Sequence, residues 1–208
     1  MHTPRAVLSP LVDPYPPVDD DAWDARYPPA LRPAAALHFA PVRVAELAAD
    51  WLAAAARAVQ RPVIDLGAGA GKFCLVAAER HRDVEWVGAE LRPALLAEAE
   101  RQRAAAGLDN LCLLTADITT LELAPYAGAF LFNPFYEQLD ASATELGPGL
   151  LRGRAAYRAA CAGLRQNLTH APADFRLVAY YCHGPELPAG WRSGREACDG
   201  RLEEWIKP

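Results

Sequence analysis

Apolar and polar positions along this chain follow two periods in alternation. Short apolar runs, rich in β-branched or aromatic residues, occur at Val63 to Leu66, Val84 to Glu90, Leu111 to Thr115, Ala129 to Phe132 and Phe175 to Tyr181. Four of the five are preceded by proline, glycine or aspartate and the third by Asn110, and their continuous apolar character is the pattern of a strand buried on both faces. Helical spacing fills the intervals. From Pro41 to Val59, the residues Val42, Ala45, Leu47, Ala48, Trp51, Leu52 and Ala55 share one face, while Arg43, Glu46, Asp50 and Arg57 mark the wetter side. Phe73 to Arg80 continues as a helix after the first run. Pro93 to Ala106 is dense in helix formers and stops at Gly107, and Pro148 to Leu168 includes a further helical segment. Strands alternating with helices predict an α/β fold with a doubly wound, mostly parallel sheet and helices on both faces. Leu202 to Ile206 is expected as a last strand, led in by a turn at Asp199-Gly200 and separated from the fifth run by loops at Gly184-Pro185 and Gly190.

The first run carries the most chemistry. Val63-Ile64-Asp65-Leu66 passes through Gly67-Ala68-Gly69-Ala70-Gly71 into Lys72 and Phe73. A strand, a tight glycine turn and a helix start let a ligand lie against bare main chain, with the first helical amides turned toward it. Asp65, at the strand tip, is placed to accept a hydrogen bond from a bound amine or from the loop itself. The dinucleotide fingerprint would want a third glycine where Lys72 stands, and a phosphate-binding loop would want a hydroxyl where Phe73 stands. Glu90 ends the second run about twenty residues beyond the loop, the spacing at which a βαβ unit brings an acid to a ribose. Its alternative is a cap on the helix opened by Pro93. Leu91 would then lie beside an adenine. Asp117, with Ile118, follows the third run as a third acid at a third strand end.

These residues resemble motif I and its neighbours in class I S-adenosylmethionine-dependent methyltransferases, with the D-x-G-x-G-x-G pattern running from Asp65 to Gly71. The resemblance covers Pro41 to the C-terminus and is strongest from Val63 to Gln138. It implies seven strands with a closing antiparallel pair, and S-adenosylmethionine as cofactor. Asp65, Gly67, Ala68, Gly69 and Gly71 would hold the amino-acid end and sulfonium region, Glu90 and Leu91 the ribose and adenine edge, and Asp117 with Ile118 the adenine. After the fourth run, Asn133-Pro134-Phe135-Tyr136 resembles the [D/N]-P-P-[Y/F/W] motif of amino-group methyltransferases, with Phe135 in place of the second proline. It implies that Asn133 and Tyr136 position the acceptor, a nitrogen of a protein side chain or small molecule, with Asn133 also at the cofactor. Gly71-Lys72-Phe73 is also similar to a lysine-directed branch, which keeps a protein substrate open. The remaining alternatives are a non-catalytic S-adenosylmethionine-binding protein, an NAD-dependent oxidoreductase and an aminopropyltransferase.

Composition narrows the setting. The 208 residues suit one domain with an appendage, here an arm over 1–40 and a domain over 41–208. Prolines crowd Met1 to Pro33, so that segment is expected to be extended and irregular, pinned by Trp23 and Tyr27, with a lid as the alternative. A net charge of −5 disfavours a broad nucleic-acid footprint. Five cysteines, odd in number and without C-x-x-C spacing, are expected as reduced thiols with no metal site. With no signal pattern and no apolar run of membrane-spanning length, a cytoplasmic protein is expected. His38 is expected to be structural, and Arg152, Arg154, Arg158 and Arg165 to form a solvated face.

Overall fold

The computed structural model describes residues 20–28, 40–139, 151–182, 187 and 189–208. Helix α1 (Asp20–Asp24) and helix α2 (Val42–Val59) precede strand β1 (Val63–Leu66). Helix α3 (Lys72–Arg80), strand β2 (Trp86–Glu90), helix α4 (Pro93–Ala105) and strand β3 (Leu111–Thr115) follow. The chain then crosses to β4 (Gly128–Phe132), turns through a short 3-10 helix (Tyr136–Gln138), and continues as α5 (Arg154–Leu168), β5 (Arg176–Tyr180), β6 (Arg192–Ala197) and β7 (Leu202–Ile206).

The strands form one seven-stranded sheet in the order β3-β2-β1-β4-β5-β7-β6. The first five pair in parallel, and β7 pairs antiparallel with both β5 and β6. From β1 the chain winds out through β2 to β3, then returns to lay β4 on the other side of β1. The reversal opens a crevice at the carboxyl ends of β1 and β4, where such sheets bind ligands.

Side-chain alternation explains why the parallel strands are apolar throughout. Val63, Phe130 and Val178 face the layer that holds α2 and α3. Ile64, Leu66, Ala129, Leu131, Leu177 and Ala179 face Leu164 and Leu168 of α5. Phe73, where a phosphate loop would need a hydroxyl, is buried with its ring stacked on Phe130, centroids 4.0 Å apart. Gly128 begins β4 because nothing larger fits. A Cβ there would run into the Arg176 carbonyl oxygen and lie 2.9 Å from Leu52 Cδ2. Gly128→Ala is expected to cost about 2 kcal/mol or more of stability, as overpacking of a tight core does, measured by denaturant unfolding.

Two segments differ from expectation. Proline content predicts an irregular arm, yet Asp20–Asp24 is helical; no proline falls between Val18 and Tyr27, so the φ restriction lapses there. Asp20 Oδ1 accepts the Val42 amide at 2.8 Å, and Tyr27 is buried in the core layer beside Trp23. Strand β6 (Arg-Ser-Gly-Arg-Glu-Ala) has no apolar pattern and is almost wholly exposed. The β7 ladder makes it a strand, through the turn at Cys198, Asp199 and Gly200, all with positive φ. Gly194 leaves room for the buried Glu204, whose carboxylate Arg195 binds at 2.8 and 2.9 Å. Most of the arm, His38, Pro148 and the Gly184-Pro185 loop lie outside the described residues. Among the described residues no helix is long and apolar enough to cross a membrane.

Candidate functional site

A cavity of about 410 Å³ occupies the crevice, a size suited to a small-molecule ligand. Its walls include Asp65, Gly67, Ala68, Gly69, Glu90, Leu91, Asp117, Ile118, Asn133 and Tyr136. Ten residues singled out by strand ends, loop pattern and the motif resemblance thus meet at one place. Gly71 does not line the cavity. Its φ of 84° starts α3, and a Cβ on it would lie 2.8 Å from the Ala99 Cβ of α4. Its lack of a side chain serves helix–helix approach, whereas Gly69, with φ of 56° and open space where a Cβ would point, leaves bare backbone at the wall.

Parallel register places the acids. Asp65 pairs with Gly88 and Phe130 in the middle of the sheet, and Glu90 ends the neighbouring strand opposite Thr115. The loop amides of Gly67 and Ala68 both donate to the Ala89 carbonyl, so the Asp65 carboxylate is not what holds the loop. It receives the Cys74 thiol at 3.3 Å instead. Burial pushes the Asp65 carboxyl up to about 7, helped by the charge of Glu90 and opposed by the thiol hydrogen bond. A buried acid poised near neutrality at the cavity wall is suited to an ammonium partner.

Glu90 is buried, yet its carboxyl is held below the usual range. Burial opposes ionisation, and hydrogen bonds from Arg92 outweigh it. Gly69 N also donates to Glu90 Oε2 at 2.9 Å, tying the glycine loop to the tip of β2. Asp117 is exposed, and its Oδ1 takes the amide and hydroxyl of Thr119 at 2.8 and 2.7 Å. That Asx turn fixes the loop beneath Ile118, and Asn167 of α5 clamps it from behind through the Ile118 and Leu121 carbonyls at 2.9 and 2.8 Å.

The stretch after β4 has unusual backbone. Asn133 and Phe135 have φ of 42° and 63°, a region non-glycine residues seldom occupy, and such strain gathers at functional sites. Proline cannot adopt the Phe135 conformation. The phenylalanine in the place of a second proline therefore sits in a differently shaped turn, rather than in a copy of the N-P-P-Y loop. Next to it, burial raises the Glu137 carboxyl, and Gln138 Oε1 is a buried acceptor without a hydrogen-bond partner among the described residues. Both line the cavity.

Sequence pattern gave no role to Arg92, Glu137, Gln138, Cys74 or Asn167. Glu137 and Gln138 lie inside the informative stretch and Arg92 two residues past Glu90, so their proximity was visible but their burial was not. Lys72, in the third-glycine position, points away from phosphate chemistry. Its ammonium is buried against Asp20 and Asp24 at 2.9 and 2.7 Å, so the arm is fastened to the first residue of α3. Gln102 adds a 2.6 Å hydrogen bond to the Arg26 carbonyl. Arg152, Arg154, Arg158 and Arg165 are exposed. Among the described residues no group of His, Cys, Asp or Glu could hold a metal ion.

Residues 59–134 match the family model described as a methyltransferase domain. Over 107 residues, half of this chain, the sequence is 31% identical to the type II methyltransferase M.XamI of Xanthomonas campestris pv. amaranthicola. The chain spans only 20% of the length of that curated relative. The magnesium protoporphyrin IX methyltransferase of Synechocystis, solved with bound S-adenosylmethionine, is 14% identical with a TM-score of 0.56, covering 80% of this chain and 79% of that one. An RNA methyltransferase of Salinibacter ruber in complex with S-adenosylhomocysteine is 18% identical with a TM-score of 0.50, covering 76% of this chain and 91% of that one. The fold is therefore that of the S-adenosylmethionine-dependent methyltransferases, with the family match centred on β1 to β4.

Proposed function

We propose that this protein transfers a methyl group from S-adenosylmethionine to an acceptor nitrogen. The observation that carries the reading is the single cavity that joins the Gly67–Gly69 backbone, three strand-end acids and the Asn133–Gln138 turn. The residues fit the cofactor. Asp65, buried and near-neutral, suits its ammonium; the bare backbone at Gly69 suits the amino-acid tail; Glu90 suits the ribose; Asp117, Leu91 and Ile118 suit the adenine edge and face. When bound, the cofactor supplies a methyl group on a positively charged sulfur, an electrophile that needs only an aligned lone pair.

The rest is positioning. In this reading the Asn133 side-chain oxygen and the Pro134 carbonyl, both at the cavity wall, accept from an acceptor N–H and turn its lone pair toward the methyl. Gln138 Oε1, buried and without a hydrogen-bond partner among the described residues, offers a further acceptor, and Glu137 adds a carboxyl to the same wall. A wall so rich in acceptors favours a substrate that donates hydrogen bonds, and the resemblance of Asn133–Tyr136 to the amino-group motif is what makes nitrogen the proposed atom. Tyr136, exposed at the cavity, offers a π face to a planar or cationic acceptor.

Calorimetric titration with S-adenosylhomocysteine tests the cofactor half. Binding by the native protein, weakened at least about tenfold in Glu90→Ala through loss of a charged hydrogen bond, supports it; no binding, or unchanged affinity in the variant, removes it. Tritiated methyl transfer into fractionated cell extract tests the acceptor half. Label in nitrogen of protein or small metabolites supports the reading, and label in nucleic acid alone or on oxygen or carbon overturns it.

A further inference from the structure

Glu90, the residue read above as the ribose ligand, already has four donors on it. Arg92 N and Arg92 Nε both reach Oε1 at 2.9 Å. Arg92 Nη2 reaches Oε2 at 3.2 Å, and Gly69 N reaches the same oxygen at 2.9 Å. A carboxylate offers about four acceptor positions, so ribose hydroxyls find none while all four donors stay. The two amides belong to the glycine loop and to the turn into α4, and cannot leave without unmaking both. The two guanidinium nitrogens can leave by side-chain rotation.

A guanidinium leaving Glu90 needs another anion, because the Arg92 side chain is only 14% exposed and an unpaired buried charge is costly. The same cavity supplies one. Glu137 lines it together with Arg92, and the two side chains already act on each other's charge. Two carboxylates, Glu90 and Glu137, thus share one arginine. In the described structure Glu90 holds it and Glu137, largely desolvated, has its carboxyl raised toward the neutral form.

We propose that Arg92 is a positioning residue that exchanges partners: ribose hydroxyls of the cofactor displace its guanidinium from Glu90, and it moves onto Glu137. The exchange keeps the guanidinium on a carboxylate in both states, while Glu90 trades charged donors for ribose hydroxyls and keeps the Gly69 and Arg92 amides. It also links the two ends of the cavity, because Glu137 is the middle residue of the Tyr136–Gln138 turn that follows Asn133. With the nucleoside in place, the arginine braces that turn, and Tyr136 with it. Without the nucleoside, the arginine stays on Glu90 and the turn goes without that ion pair. The inference rests on Glu90 being the ribose ligand.

A double-mutant cycle on S-adenosylhomocysteine affinity tests it, using Glu137→Gln, Arg92→Met and the double variant, each checked by thermal melt. With Arg92 present, Glu137→Gln is expected to weaken binding about fivefold to tenfold; with methionine at 92 the same change is expected to have an effect within about twofold. Equal effects in both backgrounds, or none in either, overturn the exchange. Crystals of the native protein soaked with S-adenosylhomocysteine give a second readout that needs no variant. The guanidinium is expected within hydrogen-bond distance of Glu137, and its persistence on Glu90 beside a bound nucleoside overturns the proposal. Failure of the native protein to bind S-adenosylhomocysteine removes the proposed function and the exchange together, whereas binding without coupling removes the exchange alone.

Discussion

Asp65→Asn is expected to make the empty protein more stable at pH 8 while reducing S-adenosylhomocysteine affinity by about a hundredfold. Both effects follow from one buried carboxyl. Its ordinary value is 3.8, and burial lifts it to about 7 in the folded protein. Folding thus favours the protonated form, so the native state is penalised most above pH 7, the penalty shrinks as pH falls from 7 toward 4, and below that it vanishes. The gap corresponds to an upper bound of about 4 kcal/mol. Asparagine removes the charge but brings an amide donor that must find a partner, so a gain of about 1–3 kcal/mol at pH 8, disappearing near pH 4, is the expected result. Affinity moves the other way, because an ammonium needs the ionised acid. Native affinity is expected to rise about tenfold per pH unit from pH 5 to 7 and then level, while the variant stays flat. A variant less stable than the native protein at pH 8, or one that binds as tightly, would contradict the assignment of Asp65.

Asn133 is expected to show the opposite separation. Asn133→Ala should lower methyl release from tritiated S-adenosylmethionine into the accepting extract fraction by about a hundredfold, the scale on which misplacement of reacting atoms is felt, with S-adenosylhomocysteine affinity held within about threefold. The positive φ of 42° complicates a lone alanine, since asparagine tolerates that region better than alanine does. Asn133→Gly provides the control, as glycine accepts the backbone and lacks the carboxamide. Loss of turnover in both variants assigns the effect to the side chain. Activity retained in the glycine variant assigns it to the turn, and equal losses of turnover and affinity count against an acceptor role.

Legibility in the sequence followed burial. Strands β1, β3 and β7 and the acid-bearing tip of β2 were readable because a parallel, doubly covered sheet demands continuous apolar runs, and because strand-end acids and glycines break them sharply. Strand β6 was unreadable for the converse reason: an exposed edge held by its ladder to β7 has no apolar pattern to show. Helix α1 was hidden by the prolines on both sides of it. In the site, pattern named the residues that sit at strand ends, but could not show that the bare Cα of Gly71 also answers to Ala99 across the helix–helix contact. Arg92 and Glu137 escaped because each looked like an ordinary charge beside a helix or turn. Their meaning comes from being desolvated together, a three-dimensional property that spacing along one chain does not encode.

The pairing of Lys72 with Asp20 and Asp24 has a practical consequence for anyone shortening this protein. A version begun at residue 41 retains all seven strands and every acid of the cavity, and looks self-sufficient on paper. It nonetheless deprives a desolvated ammonium of two carboxylates at the residue where the glycine turn becomes helix, so the cut would be felt at the ligand end of the molecule rather than at the severed one.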